Sequence, residues 1–209
     1  MIPKIPIQVI YYYKEELREI RHYLETLKNL MDEESKKYIA SLDDGRDDGR
    51  FGYRRDLASM LELQFPMYYR ASSLLVFWGI FEENFHHLCL SLCQHNNFPE
   101  MDEGRRGRPG IDEFRKYLVR TVGWRICEIE WEQLKRIQKI RHIFAHSAGY
   151  LKDPAEAETL KLNDTLIEIH HGTRCQLVLK PQYIGHFIDT VDSFWLSLEK
   201  QCLQIQQSS

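Results

Sequence analysis

The sequence predicts an all-α protein in the main, a bundle of about five helices with a small β-hairpin before the last helix. Three observations support this fold class. Apolar residues recur at steps of four and three over long segments, glycines and prolines separate those segments, and one short region alternates apolar and polar residues. With 209 residues, 43% of them hydrophobic, the chain can build a real core, and we expect one domain over residues 1–209.

Two long amphipathic helices are predicted in the first half of the chain. The first carries a heptad-like apolar seam formed by Tyr13, Leu17, Ile20, Leu24, Leu27 and Met31. The second runs from Asp56 to about Asn96 and repeats this stepping at Leu74, Trp78, Phe81, Phe85, Leu88 and Leu92. Pro66 either kinks this helix or begins its second half, because proline removes a backbone donor and clashes with the preceding turn.

Two segments rich in glycine and charge are predicted to be mobile loops, at about residues 41–55 and 98–111. The first contains the duplication DDGRDDGR. The second contains Arg106-Gly107-Arg108-Pro109, the core of an AT-hook, which binds narrow A·T minor grooves. Because acidic residues flank this core and would repel a nucleic-acid backbone, a loop that touches RNA near the site is the preferred interpretation.

Three further elements complete the predicted order. A short helix spans Asp112–Val122 and ends at Gly123, and a longer one spans about Cys127–Ser147 and ends at Gly149. The longer helix should bury Trp131, Leu134, Ile137, Ile140 and Phe144. Residues 164–180 alternate apolar and polar positions on either side of a turn at His171-Gly172, which predicts the hairpin.

Pro181 then opens the last helix, whose apolar residues also recur at helical steps. Its predicted inward residues are Ile184, Phe187, Val191, Phe194, Leu198 and Cys202.

Composition limits the classes of protein that remain. A formal net charge of −3 argues against a general polyanion-binding surface, so any nucleic-acid site must be local. The five cysteines form no C-x-x-C pair, and their odd number suits reduced thiols. The N-terminus lacks the pattern of a signal peptide, and the central uncharged run Ala71–Phe81 is too short to cross a bilayer. We therefore expect a cytoplasmic protein with no membrane partner.

The fourth predicted helix is a local exception to the acidic balance. Between residues 135 and 146 it contains no acid and four positive residues, Lys135, Arg136, Lys139 and Arg141. Four basic or titratable side chains fall within about 60° of one another on a helix, namely Lys135, Lys139, His142 and His146. A phosphate backbone is a natural partner for this stripe, so Lys135, Arg136 and Lys139 are candidate RNA-binding residues. The alternative is the ordinary solvated face of an amphipathic helix.

Within this helix the segment Ile140–Gly149 reads IRHIFAHSAG and resembles the signature of the HEPN superfamily. That signature is an arginine separated by four to six residues from a histidine near the end of a helix, often with a polar residue directly after the arginine. Arg141, His142 and His146 occupy these three positions. The layout is also similar, because a long helical pair precedes the motif and a small β element and a closing helix follow it.

The resemblance implies a metal-independent endoribonuclease that needs no cofactor. In similar proteins the 2′-hydroxyl attacks the adjacent phosphorus, which leaves a cyclic phosphate and a 5′-hydroxyl. Arg141 and His146 would be catalytic and His142 would assist. Since five positions on an ideal helix place Arg141 and His146 about 140° apart, the family's homodimer, in which two motifs share one cleft, is the expected assembly.

Other roles remain open in the sequence. Glu82 is a candidate supporting residue that would orient Arg141 or His146, although it could equally pair with His86 one turn on. His142 and His146 have the spacing of a two-His zinc site, but no third ligand is identifiable nearby, so no metal site is predicted. The resemblance also implies a toxin or defence effector held in check by an inhibitory protein partner. The alternative is a HEPN-like module that binds RNA or protein without cutting.

Overall fold

The computed structural model describes residues 7–42, 56–58, 60–96, 98–99, 101, 109–163, 165–171 and 175–207. Most of these residues are helical, and a small three-stranded sheet accompanies the helices. The mainly α-helical fold class is therefore confirmed. No helix within the described ranges combines the length and the apolar character that a membrane span requires.

The elements follow one another in an order close to the predicted one. The helices are α1 (Ile7–Leu42), α2 (Phe65–Asn96), α3 (Ile111–Tyr117), α4 (Glu128–Ser147), α5 (Pro154–Asn163) and α6 (Tyr183–Gln207). The strands are β1 (Tyr150–Leu151), β2 (Ile167–His171) and β3 (Cys175–Leu179). Two π-helical segments, Met60–Gln64 and Leu118–Val122, directly precede α2 and directly follow α3.

The prediction of about five helices missed α5, and the predicted hairpin omitted β1. The apolar residues of α5 give only a weak helical stripe, and β1 has two residues, too few to show an alternating pattern. The predicted loops at 41–55 and 98–111 fall largely outside the described residues, as do Arg106, Gly107 and Arg108. The hairpin turn at residues 172–174 also lies outside them.

The start of α2 decides the role of Pro66. This proline is the second residue of α2, and the π-helical segment Met60–Gln64 ends immediately before α2 begins. Because proline has no backbone N–H and clashes with the preceding turn, regular α-helical bonding cannot run through this position. Pro66 therefore begins the second half of the predicted helical region, and the winding changes at that point.

The chain divides into two compact units. The first comprises residues 1–17, 75–142 and 185–209, and the second comprises residues 18–74 and 143–184. The organisation as one domain stays a prediction. The first unit has an aromatic core in which the ring of Phe85 lies 5.2 Å from that of Phe114 and 5.3 Å from that of Phe194. Tyr13 joins this core through Trp195, with ring centroids 5.2 Å apart.

The second unit contains the sheet, with strand order β1-β3-β2 and antiparallel pairing throughout. Ile167 pairs with Leu179 and Ile169 pairs with Leu177, and all four side chains are buried. The predicted hairpin is therefore confirmed, and the predicted alternation holds in β2, whereas in β3 Val178 is buried as well as Leu177 and Leu179.

Candidate functional site

Helix α4 carries the predicted site and forms as its sequence leads one to expect. Its first turn contains Glu128 and Glu130 and its last turn contains His146, an arrangement that complements the helix dipole. The apolar side predicted for it is buried at every position, namely Trp131, Leu134, Ile137, Ile140 and Phe144. The opposite side of the helix is consequently free to carry charge.

A tight turn ends α4 directly after the predicted histidine. Ala148 and Gly149 have φ values of 51° and 85°, and their N–H groups donate to the carbonyls of Phe144 and Ile143 at 3.1 and 3.4 Å. The carbonyl of Gly149 then accepts a hydrogen bond of 2.8 Å from the N–H of Leu177 in β3. The end of the helix that carries His146 is thus fastened to the sheet.

Arg141 is half-buried, in contrast to the exposed basic residues around it. Its Nε atom is buried and has no hydrogen-bond partner among the described residues. Leaving a buried donor unsatisfied costs about 1–3 kcal/mol, and more for a charged group. An oxyanion is the acceptor that a guanidinium holds best, so a phosphate oxygen is a chemically suitable partner for this side chain.

His142 and His146 are both exposed on the surface of α4. Four residues separate them, so their side chains project from the same side of the helix one turn apart. Arg141 precedes this pair but points elsewhere, because five positions correspond to about 140° of helical rotation relative to His146. One copy of α4 therefore presents two imidazoles together and the guanidinium to another side.

The three candidate RNA-binding residues of α4 have different surroundings. The Nζ atom of Lys135 donates to Oδ2 of Asp112 at 2.6 Å and to Oε1 of Gln138 at 2.7 Å. Arg136 and Lys139 are exposed. The ion pair of Lys135 with the start of α3 is a tertiary contact, which the local sequence of α4 does not reveal.

Glu82 lies half-buried on α2, and its role in orienting Arg141 or His146 stays a prediction. The next carboxylate, that of Glu83, lies 2.9 Å from Nε2 of His87, one helical turn on. The ring of His86 stacks on Phe114 at 5.6 Å with an interplanar angle of 22°. An aromatic contact thus restrains the histidine that the sequence offered as the alternative partner of Glu82.

A second group of charged side chains, which the sequence analysis did not single out, lies around Glu168 in the second unit. Nε2 of His170 and Nζ of Lys180 lie 3.6 and 4.0 Å from the two carboxylate oxygens. Arg70 on α2 is half-buried, and its Nε has no hydrogen-bond partner among the described residues. Burial lowers the pKa of Arg70, and the nearby charge of Glu168 partly offsets this effect. The signal in the sequence was weak, since Arg70 is a single charge between aromatic and small residues.

Among the residues that the structure describes, no three His, Cys, Asp or Glu side chains are grouped closely enough to hold a metal ion. All five cysteines are free thiols, as predicted. Burial raises the pKa of the thiols of Cys89 and Cys202, which leaves both protonated at neutral pH. The chain matches no family model, and comparison with curated proteins and with solved structures finds no match either.

Proposed function

We propose that this protein is a metal-independent endoribonuclease of HEPN type that works as a cytoplasmic homodimer. Arg141 and His146 are its catalytic residues, His142 assists them, and Arg136 and Lys139 bind the RNA backbone. The observation that supports this proposal best is the surroundings of Arg141. Its guanidinium has a buried Nε without a partner among the described residues, and it directly precedes two exposed histidines at the end of α4.

The proposed reaction needs a base, an acid and a cation. His146 takes the proton of the 2′-hydroxyl, whose oxygen then forms a bond to the adjacent phosphorus. The bond from phosphorus to the 5′-oxygen breaks, and that oxygen receives a proton from a second imidazole, which leaves a 2′,3′-cyclic phosphate and a 5′-hydroxyl. Arg141 holds the non-bridging oxygens and offsets the charge that develops on them.

The homodimer follows from the geometry of a single helix. Arg141 and His146 differ by about 140° in direction, so one copy cannot easily present both to the same phosphate. A two-fold axis brings the same surface of two copies together, so that Arg141 of one copy can meet His146 of the other. A role as a toxin or defence effector, controlled by an inhibitory protein partner, is consistent with this activity and belongs to the same proposal.

The test is incubation of the purified protein with mixed RNA in excess chelator, with products identified by mass spectrometry. We expect cyclic-phosphate ends from the native protein and their loss in Arg141→Ala and His146→Ala. His22→Ala, which removes an exposed histidine on α1, is the matched control and should cleave normally.

Two results would overturn the proposed ribonuclease activity. Cleavage only after a divalent metal is added would exclude the proposed mechanism. RNA binding without any cleavage by the native protein would favour the non-catalytic module instead.

A further inference from the structure

The second unit contains an apolar pocket. Its lining residues lie between Met31 and Phe65, far in the sequence from Arg141 and His146. Its volume is about 340 Å³, within the range of pockets that bind ligands. Five of its lining residues are apolar or aromatic, Met31 and Tyr38 of α1 together with Leu57, Leu61 and Phe65. An apolar pocket of this size at a protein surface indicates a binding site.

Exposed apolar side chains also occur near the pocket residues in the sequence. Leu30 of α1 is 55% exposed, Leu63 is 67% exposed, and Tyr68 of α2 is 58% exposed. Single exposed apolar residues are normal on proteins, but Tyr68 follows the pocket residue Phe65 by one helical turn and so lies on the same side of α2. Tyr68 thus extends the apolar side chains beyond the pocket itself, which suits a macromolecular partner better than a small ligand.

The winding of the chain marks the same place. Met60–Gln64 is π-helical and contains no buried residue, although it contributes Leu61 to the pocket. π-helical segments are rare and concentrate at functional sites, because their winding is less stable than that of an α-helix. Packing of its own side chains into a core does not account for this segment.

The charge around the pocket identifies the kind of partner. The described residues next to the pocket, 31–42, 56–58 and 60–65, contain five acids and two bases, so they alone carry a net charge of −3. Glu34 lines the pocket, and its carboxylate is 2.7 Å from Nζ of Lys37 on the exposed side of α1. Glu62 lies exposed on the π-helical segment. An apolar surface with an acidic rim complements a positively charged partner.

We propose that this groove binds a basic amphipathic helix of a partner protein. Apolar side chains at helical spacing fill the pocket beside Phe65, and Lys or Arg residues of the partner meet the carboxylates of Glu34 and Glu62. A second copy of this chain fits poorly, because a two-fold contact would place one acidic segment against another. This inference stands independently of the ribonuclease.

The experiment measures the fluorescence anisotropy of a labelled helical peptide made of leucine and lysine at amphipathic spacing. The matched peptide replaces every lysine with glutamate. We expect saturable binding of the lysine peptide, weakened by added salt, and at least tenfold weaker binding of the glutamate peptide. Phe65→Ser should weaken the lysine peptide by about tenfold, since aromatic anchors dominate such interfaces.

One control variant and a second groove variant make the result decisive. Ile129→Gln removes a 73% exposed apolar side chain of α4 outside the groove and should bind as the native protein does. Tyr68→Gln changes a side chain that is 58% exposed, so folding should be unaffected, and it should also weaken binding. Circular dichroism verifies the fold of each variant.

Three outcomes would overturn the proposal. Equal binding of both peptides would contradict the proposed charge complementarity. Equal binding by the Phe65→Ser and Ile129→Gln variants would show that the peptide does not bind in this groove. A native dimer in sedimentation that Phe65→Ser and Tyr68→Gln convert to monomer would show that a second copy occupies the groove.

Discussion

The Nζ atom of Lys135 lies 2.6 Å from the Oδ2 atom of Asp112, which ties the middle of α4 to the first turn of α3. The same amine also donates to Gln138. Lys135 would have to give up both contacts to bind a phosphate. Exposed Lys139, on the same side of α4, sits one turn further towards the histidines.

The first prediction therefore separates these two lysines. Lys139→Ala should weaken RNA binding uniformly across RNA sequences. It should also lower the slope of log Kd against log salt concentration by about one, because one phosphate contact is lost. Lys135→Ala should change RNA binding much less. Titrations at several salt concentrations measure both effects. An equal loss for the two variants would mean that Lys135 leaves Asp112 when RNA binds.

The second prediction concerns the turn that ends α4. Gly149 has φ 85°, and a Cβ atom there would lie 2.8 Å from Cε1 of Phe144 and 3.2 Å from the carbonyl oxygen of Leu177. Gly149→Ala should lower the free energy of unfolding by about 2 kcal/mol or more, from backbone strain and the displaced phenyl ring. Urea unfolding measures this loss.

Gly79 provides the matched control for that substitution. It lies within α2, and a Cβ atom there would have no neighbour within 4 Å. Gly79→Ala should raise the free energy of unfolding by about 0.5–1 kcal/mol, since alanine stabilises a helix more than glycine does. If both variants unfold at the same urea concentration, the turn after α4 does not hold the helix end to β3.

Gly149 and Lys135 show how much of this structure the sequence predicts. Local rules place Gly149 at the end of α4 and Ile140 on its buried side, because periodicity and glycine conformations act within a few residues. The partner of Lys135 depends on where α3 packs, twenty-three positions earlier in the chain. Tertiary contacts of this kind leave no trace in the spacing of one helix.

The same distinction applies to the candidate site and to the groove. Spacing and the family resemblance make Arg141 and the two histidines candidates, but the absence of a described partner at the Nε of Arg141 is visible only in the fold. The apolar pocket requires α1 and the Leu57–Phe65 segment to come together, and each contributes too few apolar residues to be noticed separately. Short elements such as β1 are lost for the related reason that two residues form no pattern.

The third prediction concerns alkaline pH. Burial is the main cause that raises the pKa of Cys202 from 9.0 to about 12. The unfolded chain therefore releases this proton first, so the thiol contributes stability below its ordinary pKa that is lost as the pH rises towards its folded value. Each such thiol lowers the free energy of unfolding by up to about 1.4 kcal/mol per pH unit in this window.

The measurement is urea unfolding at several pH values above neutrality. Cys202→Ala should be less stable at neutral pH, because it leaves a small cavity, yet its stability should fall less steeply between about pH 9 and 11. Cys127→Ala removes an exposed thiol and should follow the native curve. Parallel curves for Cys202→Ala and the native protein would show that this thiol does not titrate differently in the folded state.

The fourth prediction tests whether the proposed reaction uses two copies. Arg141→Ala and His146→Ala should each be inactive against RNA. In a mixed dimer, however, one site combines the intact arginine of one copy with the intact histidine of the other. Random exchange makes half of the dimers mixed, with one complete site each, so activity should return to about one quarter of the native level. Each variant mixed with itself is the control. If every site instead drew both residues from one copy, no mixture of these variants would cleave RNA, and the shared cleft would have to be abandoned.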